Sequence, residues 1–97
     1  MNTVKTIDIN AREWFDKVNG NSYFSAIVTV NYQLENEESF VLPFQYGYGD
    51  QYRYEAINEL KKRNFITPDN SPYTLKEKGI ILRANIQRNC LKRDMYK

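Results

Sequence analysis

The side chains best suited to chemistry are concentrated between Phe40 and Phe65. Tyr46, Tyr48, Tyr52 and Tyr54 fall there, four of the chain's eight tyrosines, with Arg53 among them. Aromatic rings beside cations do two kinds of work. They stack the bases of a single strand of nucleic acid next to its phosphates, and they anchor protein–protein contacts, where Tyr and Arg are enriched. A nucleic-acid surface would use Tyr46, Tyr48, Arg53, Arg83 and Arg88, extended by Lys92 and Arg93 in the tail. A protein contact would centre on Tyr48, Tyr52 and Arg53. The same tyrosines also suit plain packing, because Tyr fills a core while keeping one polar tip.

A second constellation is acidic. Glu35, Glu37 and Glu38 crowd the polar segment 33–39, QLENEES. As a solvated hairpin tip they need no partner. As a docking surface they would mimic nucleic-acid phosphates on a basic protein.

Gly47-Tyr48-Gly49 ahead of a helix is similar to a phosphate-cradling loop, but it lacks a third glycine and a following P-loop lysine. Asp50 at the helix cap would repel a phosphate. These glycines are expected instead to allow positive φ in a strand-to-helix corner.

Catalytic equipment is sparse. There is no histidine, which removes the commonest general base and metal ligand. The single cysteine, Cys90, forms neither a thiol dyad nor a zinc cluster. Asp8, Glu13 and Asp16 show no spacing that demands pairing, and only ligands converging from afar would make a carboxylate-bound Mg²⁺ site. The expectation is a non-enzymatic protein with no metal and no cofactor.

The chain has 97 residues, a length for one domain with one core. At 41% hydrophobic and 27% charged residues it has the composition of a folded rather than a disordered chain. Its net charge of +2 is unevenly spread. Residues 1–50 carry three Lys or Arg against seven Asp or Glu, and residues 51–97 carry eleven against five. Such a split gives a basic face for an acidic partner unless the halves neutralise each other in the fold. One cysteine, no cleavable leader and no apolar run of membrane-spanning length point to the cytoplasm and away from membranes.

The elements that would position these residues follow from periodicity. Residues 3–9 alternate as a strand, with Ile7 and Ile9 on the face of Lys5. Residues 10–18 fit either a capped helix or a strand that turns at Asn19-Gly20. Residues 23–32 are the clearest strand, with Phe24, Ala26, Val28, Val30 and Tyr32 on one face. Residues 40–46 form another, with Phe40, Leu42, Phe44 and Tyr46 together and Pro43 marking an edge or a bulge. A helix over 51–63 is expected to bury Ala56, Ile57 and Leu60, with Asp50 as its cap and Lys61, Lys62 and Arg63 in its last turn. Residues 73–78 suit a short helical turn, capped by Ser71 and closed by Gly79. Residues 80–88 alternate as a last strand, and the basic tail from Asn89 is expected to be loosely held.

Two stretches carry a resemblance. Ala11-Arg12-Glu13-Trp14-Phe15-Asp16-Lys17, then Asn19-Gly20-Asn21-Ser22-Tyr23, then Pro43-Phe44-Gln45-Tyr46-Gly47-Tyr48-Gly49 resembles small uncharacterised proteins encoded by bacteriophages and other bacterial mobile elements. In those proteins a Trp-Phe pair, a Gly-Asn-Ser/Thr-Tyr turn and a Tyr-Gly-Tyr-Gly stretch recur in the same order. The likeness covers about the first 55 residues. It implies a hairpin across Asn19-Gly20, and so a strand for residues 11–17. It carries over no catalytic residue. It also implies a protein that acts by binding, either sequestering a host defence nucleoprotein as anti-CRISPR proteins do or handling nucleic acid.

The expected architecture is α+β, an antiparallel sheet of about four strands with one main helix, 51–63, packed on it. The expected function is stoichiometric binding of a host nucleoprotein through Tyr48, Tyr52, Arg53, Glu35, Glu37 and Glu38. The alternative is a binder of single-stranded DNA or RNA. An edge strand near Pro43 leaves room for a homodimer.

Overall fold

A computed structural model describes residues 4–67 and 72–96. Three strands run as a meander: β1 (Thr6–Asp16), β2 (Asn21–Val30) and β3 (Glu38–Tyr46). Helix α1 (Gln51–Lys62) and a short helix α2 (Pro72–Glu77) lead to β4 (Ile81–Gln87). The strands form one sheet in the order β3-β2-β1-β4, so the α+β class is as expected. The capping role expected of Ser71 lies outside the described residues.

Residues 10–16 are strand, not helix, and continue the first strand without a break. Their helical signals lose to pairing on both edges. Ile7 to Asp16 pair with β2, and Thr6 to Arg12 pair with β4. The turn after β1 closes where Gly20 N–H donates to the Asp16 carbonyl at 2.7 Å, with Gly20 at φ +70°. A side chain is strained at that φ, so glycine holds the corner.

The sheet is not wholly antiparallel. β4 runs parallel to β1, with Thr6 opposite Ile81 and Arg12 opposite Gln87. The helix between them dictates this. β3 ends beside Tyr23, at the far end of β2. The 12 residues of α1 then carry the chain back about 18 Å, so the last strand starts beside the first. Parallel strands need a crossover of this kind.

One face of the sheet holds the core. Ile7, Ile9, Phe24 and Val28 are buried there against Tyr52, Ala56 and Leu60 of α1. Leu82, Ala84 and Ile86 of β4 pack on its flank. The cap of α1 departs from expectation, since Asp50 makes no side-chain hydrogen bond to the helix. The corner before it is tight for another reason. A Cβ on Gly47 would lie 2.6 Å from Phe24 Cε1 and 3.0 Å from the Gln51 side chain, so this glycine is required for space rather than for φ. Gly49, at φ +63°, supplies the turn.

β2 ends earlier than its alternation suggests. Asn31 takes the left-handed conformation, φ 57°, and its Oδ1 accepts from Lys5 N–H at 2.7 Å and Thr6 N–H at 3.3 Å. Asn tolerates this backbone better than most residues. The bend turns Tyr32 out of the strand's buried row, leaving it exposed.

Candidate interaction surface

The other face of the sheet carries neither α1 nor α2, and it divides into a polar and an aromatic half. In the polar half Arg83 donates two hydrogen bonds to Asp8, Nε at 2.7 Å and Nη2 at 3.0 Å. One step along, Asn85 Nδ2 donates to Asn10 Oδ1 at 2.6 Å. The parallel register places each pair side by side. Asp8 is also the main reason that the Arg83 pKa is raised.

The aromatic half lies at the hairpin end. Trp14 is opposite Tyr23, and Tyr23 is opposite Tyr46. Their rings stack with that of Phe44. Trp14 and Tyr23 have centroids 5.6 Å apart, Tyr23 and Phe44 5.1 Å, and Trp14 and Phe44 6.1 Å. Tyr46 meets Tyr23 edge-on at 5.8 Å. Phe44 reaches this group through a bulge. The register shifts between Phe24 and Ala26, where Leu42 pairs with Ala26 and Gln45 with Phe24. One extra residue in β3 reverses the alternation, so Phe40 and Leu42 face the core while Phe44 and Tyr46 face outward. Pro43 sits in that bulge on an edge strand, as its missing donor requires.

The C-terminal segment closes over this half and is not loosely held. Tyr96 N–H donates to Ser25 Oγ at 2.7 Å, Arg12 Nη1 donates to the Asp94 carbonyl at 2.6 Å, and Met95 is buried. Arg12 also lies over the Tyr96 ring, 4.6 Å from its centroid. A short 3-10 turn, Lys92–Asp94, holds Lys92 Nζ 5.1 Å from the Trp14 ring centroid and 6.0 Å from that of Phe44. Phe44, Lys92, Arg93, Met95 and Tyr96 line an open cavity of about 510 Å³. Cys90 N–H donates to the Glu13 carbonyl at 2.9 Å, joining the segment to β1.

The residues expected to make contacts are scattered rather than gathered. Tyr48, Tyr46 and Tyr54 are exposed, by 70%, 56% and 63%, but Tyr52 is 2% exposed and belongs to the core. Its Oη accepts from Arg53 Nε at 3.2 Å, the leading cause of the raised Arg53 pKa. Arg83 is held by Asp8. Arg88 Nη1 donates to Glu13 Oε2 at 2.7 Å, so both arginines are committed within the fold. Glu35, Glu37 and Glu38 stand at the opposite end of the sheet from Trp14, where Val30 pairs with Glu38. Tyr23 and Val30 are seven residues apart on β2, about 23 Å. Glu37 Oε1 accepts from Gln33 N–H at 3.2 Å.

Trp14, Tyr23 and Phe44 were not among the expected contact residues. The turn spans the four residues 17–20, so Asp16 meets Asn21 and Trp14 meets Tyr23. A two-residue turn at Asn19-Gly20 would have set Trp14 opposite Ser25, so the turn dipeptide alone does not signal this pair. Among the described residues no three or more Asp, Glu, Cys or His side chains are grouped to hold a metal ion. No described helix is long and apolar enough to cross a membrane. No protein-family model, curated protein or solved structure matches the chain.

Proposed function

We propose that this protein acts without catalysis, as a phage or mobile-element accessory protein that binds a host defence nucleoprotein in the bacterial cytoplasm, in the manner of an anti-CRISPR protein. The observation that carries a binding role is the aromatic end of the open sheet face. Trp14, Tyr23, Phe44 and Tyr46 form one cluster there, with Phe44 and Tyr46 still exposed. Large aromatic side chains left at a surface beside cations have the composition of interface anchors. The order of the Trp-Phe, Gly-Asn-Ser-Tyr and Tyr-Gly-Tyr-Gly stretches supports the mobile-element origin. Tyr48, at the same end, extends the contact. Glu35, Glu37 and Glu38 are a separate acidic contact at the other pole.

The test has two arms. Expression in a host with active interference is expected to restore plating of a targeted phage, and Phe44→Ala with Tyr46→Ala to lose that rescue. Tagged protein in host lysate, with and without nuclease, is expected to recover a component of the interference machinery. No rescue of plating and no such component would overturn the reading.

A further inference from the structure

We infer that the aromatic end of this sheet face takes a single strand of nucleic acid, its bases on the exposed rings of Phe44 and Tyr46 beside Trp14 and its phosphates on Lys92, Arg93 and Lys17. This rests on the binding role proposed above and names what that face touches. The first support is geometric. Trp14, Tyr23, Phe44 and Tyr46 pack as one group on a rigid sheet and leave Phe44 38% and Tyr46 56% exposed, and base–aromatic stacking uses exposed rings held in this way while tolerating any base. A duplex, whose bases are already stacked within, offers nothing to it.

The second support is charge. Lys17, Lys92 and Arg93 are exposed, and none has a carboxylate within ion-pair distance among the described residues. The carboxylates at this end are weaker competitors: Glu13 is paired with Arg88, and Asp50 lies 4.0 Å from Arg53. Asp16 is already taken by Asn19 Nδ2 at 2.8 Å and by the N–H groups of Val18 and Asn19, and Asp94 is exposed on the same turn as Lys92 and Arg93. Lys92 lies over the Trp14 ring and is exposed, so a phosphate held by its ammonium stands next to the indole. The acidic loop of Glu35, Glu37 and Glu38 at the far pole would turn the strand away, which limits the footprint to this end. The cations and rings address phosphate and base, which DNA and RNA share, so the two are expected to bind alike.

The chain has a single tryptophan, and it stands in the proposed site. Its emission therefore reports occupancy without any substitution. An oligothymidylate of about 12 nucleotides, within the usual span of such surfaces, is expected to quench Trp14 emission in step with a rise in anisotropy of a labelled copy. The RNA counterpart should bind within about threefold. Three phosphate contacts predict that affinity falls about fifteenfold between about 50 and 200 mM salt. Lys92→Glu with Arg93→Glu, both on exposed positions, should fold and bind at least about tenfold more weakly. Binding without quenching, equal binding of the duplex, or no effect of the double charge reversal would each overturn the inference. Its failure is separable from that of the proposed function. Nuclease-resistant capture of an interference protein by a chain without oligonucleotide affinity removes this inference alone, whereas tight strand binding without rescue of phage plating removes the other.

Discussion

Phe44 and Tyr23 stack face to face, their ring centroids 5.1 Å apart and their planes 8° apart. By simple alternation from Phe40 and Leu42, Phe44 belongs to the opposite face. The bulge at Pro43 delivers it to this one, and so builds the aromatic end. Phe44→Ala should cost only about 1 kcal/mol, the scale of an aromatic pair, because the ring is already 38% exposed. The same change should shift Trp14 emission to the red as water reaches the indole. Urea unfolding and fluorescence spectra check both, and an unchanged spectrum would argue against the Trp14–Phe44 contact.

Asn31 serves two ends of the chain at once, bending β2 and holding the Lys5 and Thr6 amides. Asn31→Ala loses both the acceptor and a residue suited to φ 57°, for an expected loss of about 2–3 kcal/mol. Asn31→Gly keeps the conformation open and loses only the acceptor, so it should be the milder variant. Equal losses in denaturant would show that the backbone conformation contributes nothing.

Gly47→Ala places a methyl 2.6 Å from a ring edge of Phe24, which is itself fully buried. The ring has nowhere to withdraw. Overpacking of this kind costs about 1–3 kcal/mol, which in a chain of this size lowers Tm by roughly 5–20 °C. Gly20→Ala, where nothing lies within 4 Å, should act through its positive φ alone.

The carboxyl of Asp16 is held below its ordinary value of 3.8, chiefly by the Asn19 side chain; desolvation, the next largest effect, opposes this, and the Asn19 and Val18 N–H groups and the charge of Lys92 add to the lowering. A lowered folded-state pKa contributes stability above the unfolded value and loses it as pH falls through the lowered one. Unfolding midpoints measured at about pH 5 and about pH 2.5 should therefore separate further in the native chain than in Asn19→Ala. Identical differences would mean that the hairpin turn does not depend on this carboxylate.

Much of the framework could be read from residue order alone. The alternation in residues 23–30 and 81–87, the helix face of Ala56, Ile57 and Leu60, and the edge role of Pro43 all appear in the structure where periodicity put them. What failed was whatever depended on partners distant in sequence. Residues 10–16 are no such failure: local signals fit helix or strand, and the strand implied by the hairpin is the one found, held by pairing on both sides. Tyr52 looks like a contact residue because it lies beside Arg53 among the clustered tyrosines, yet α1 turns it inward. Arg83 and Arg88 look like free cations because their carboxylates, Asp8 and Glu13, are 75 residues away. The parallel β4 was legible in part, since the long helix α1 returns the chain to the end of the sheet where β1 starts and the short α2 does not carry it back.

That parallel strand has a consequence for how the chain is made. β1 is synthesised well before β4, and one of its two edges waits for that strand. Until then a row of amides and carbonyls on the strand that becomes central stands open to any extended peptide. The pairing that fills it closes a long loop, the slowest kind of contact to form. A neighbouring nascent copy offers the same β4 sequence as the chain's own, so strand exchange between copies is the characteristic misfolding hazard of this topology at high expression.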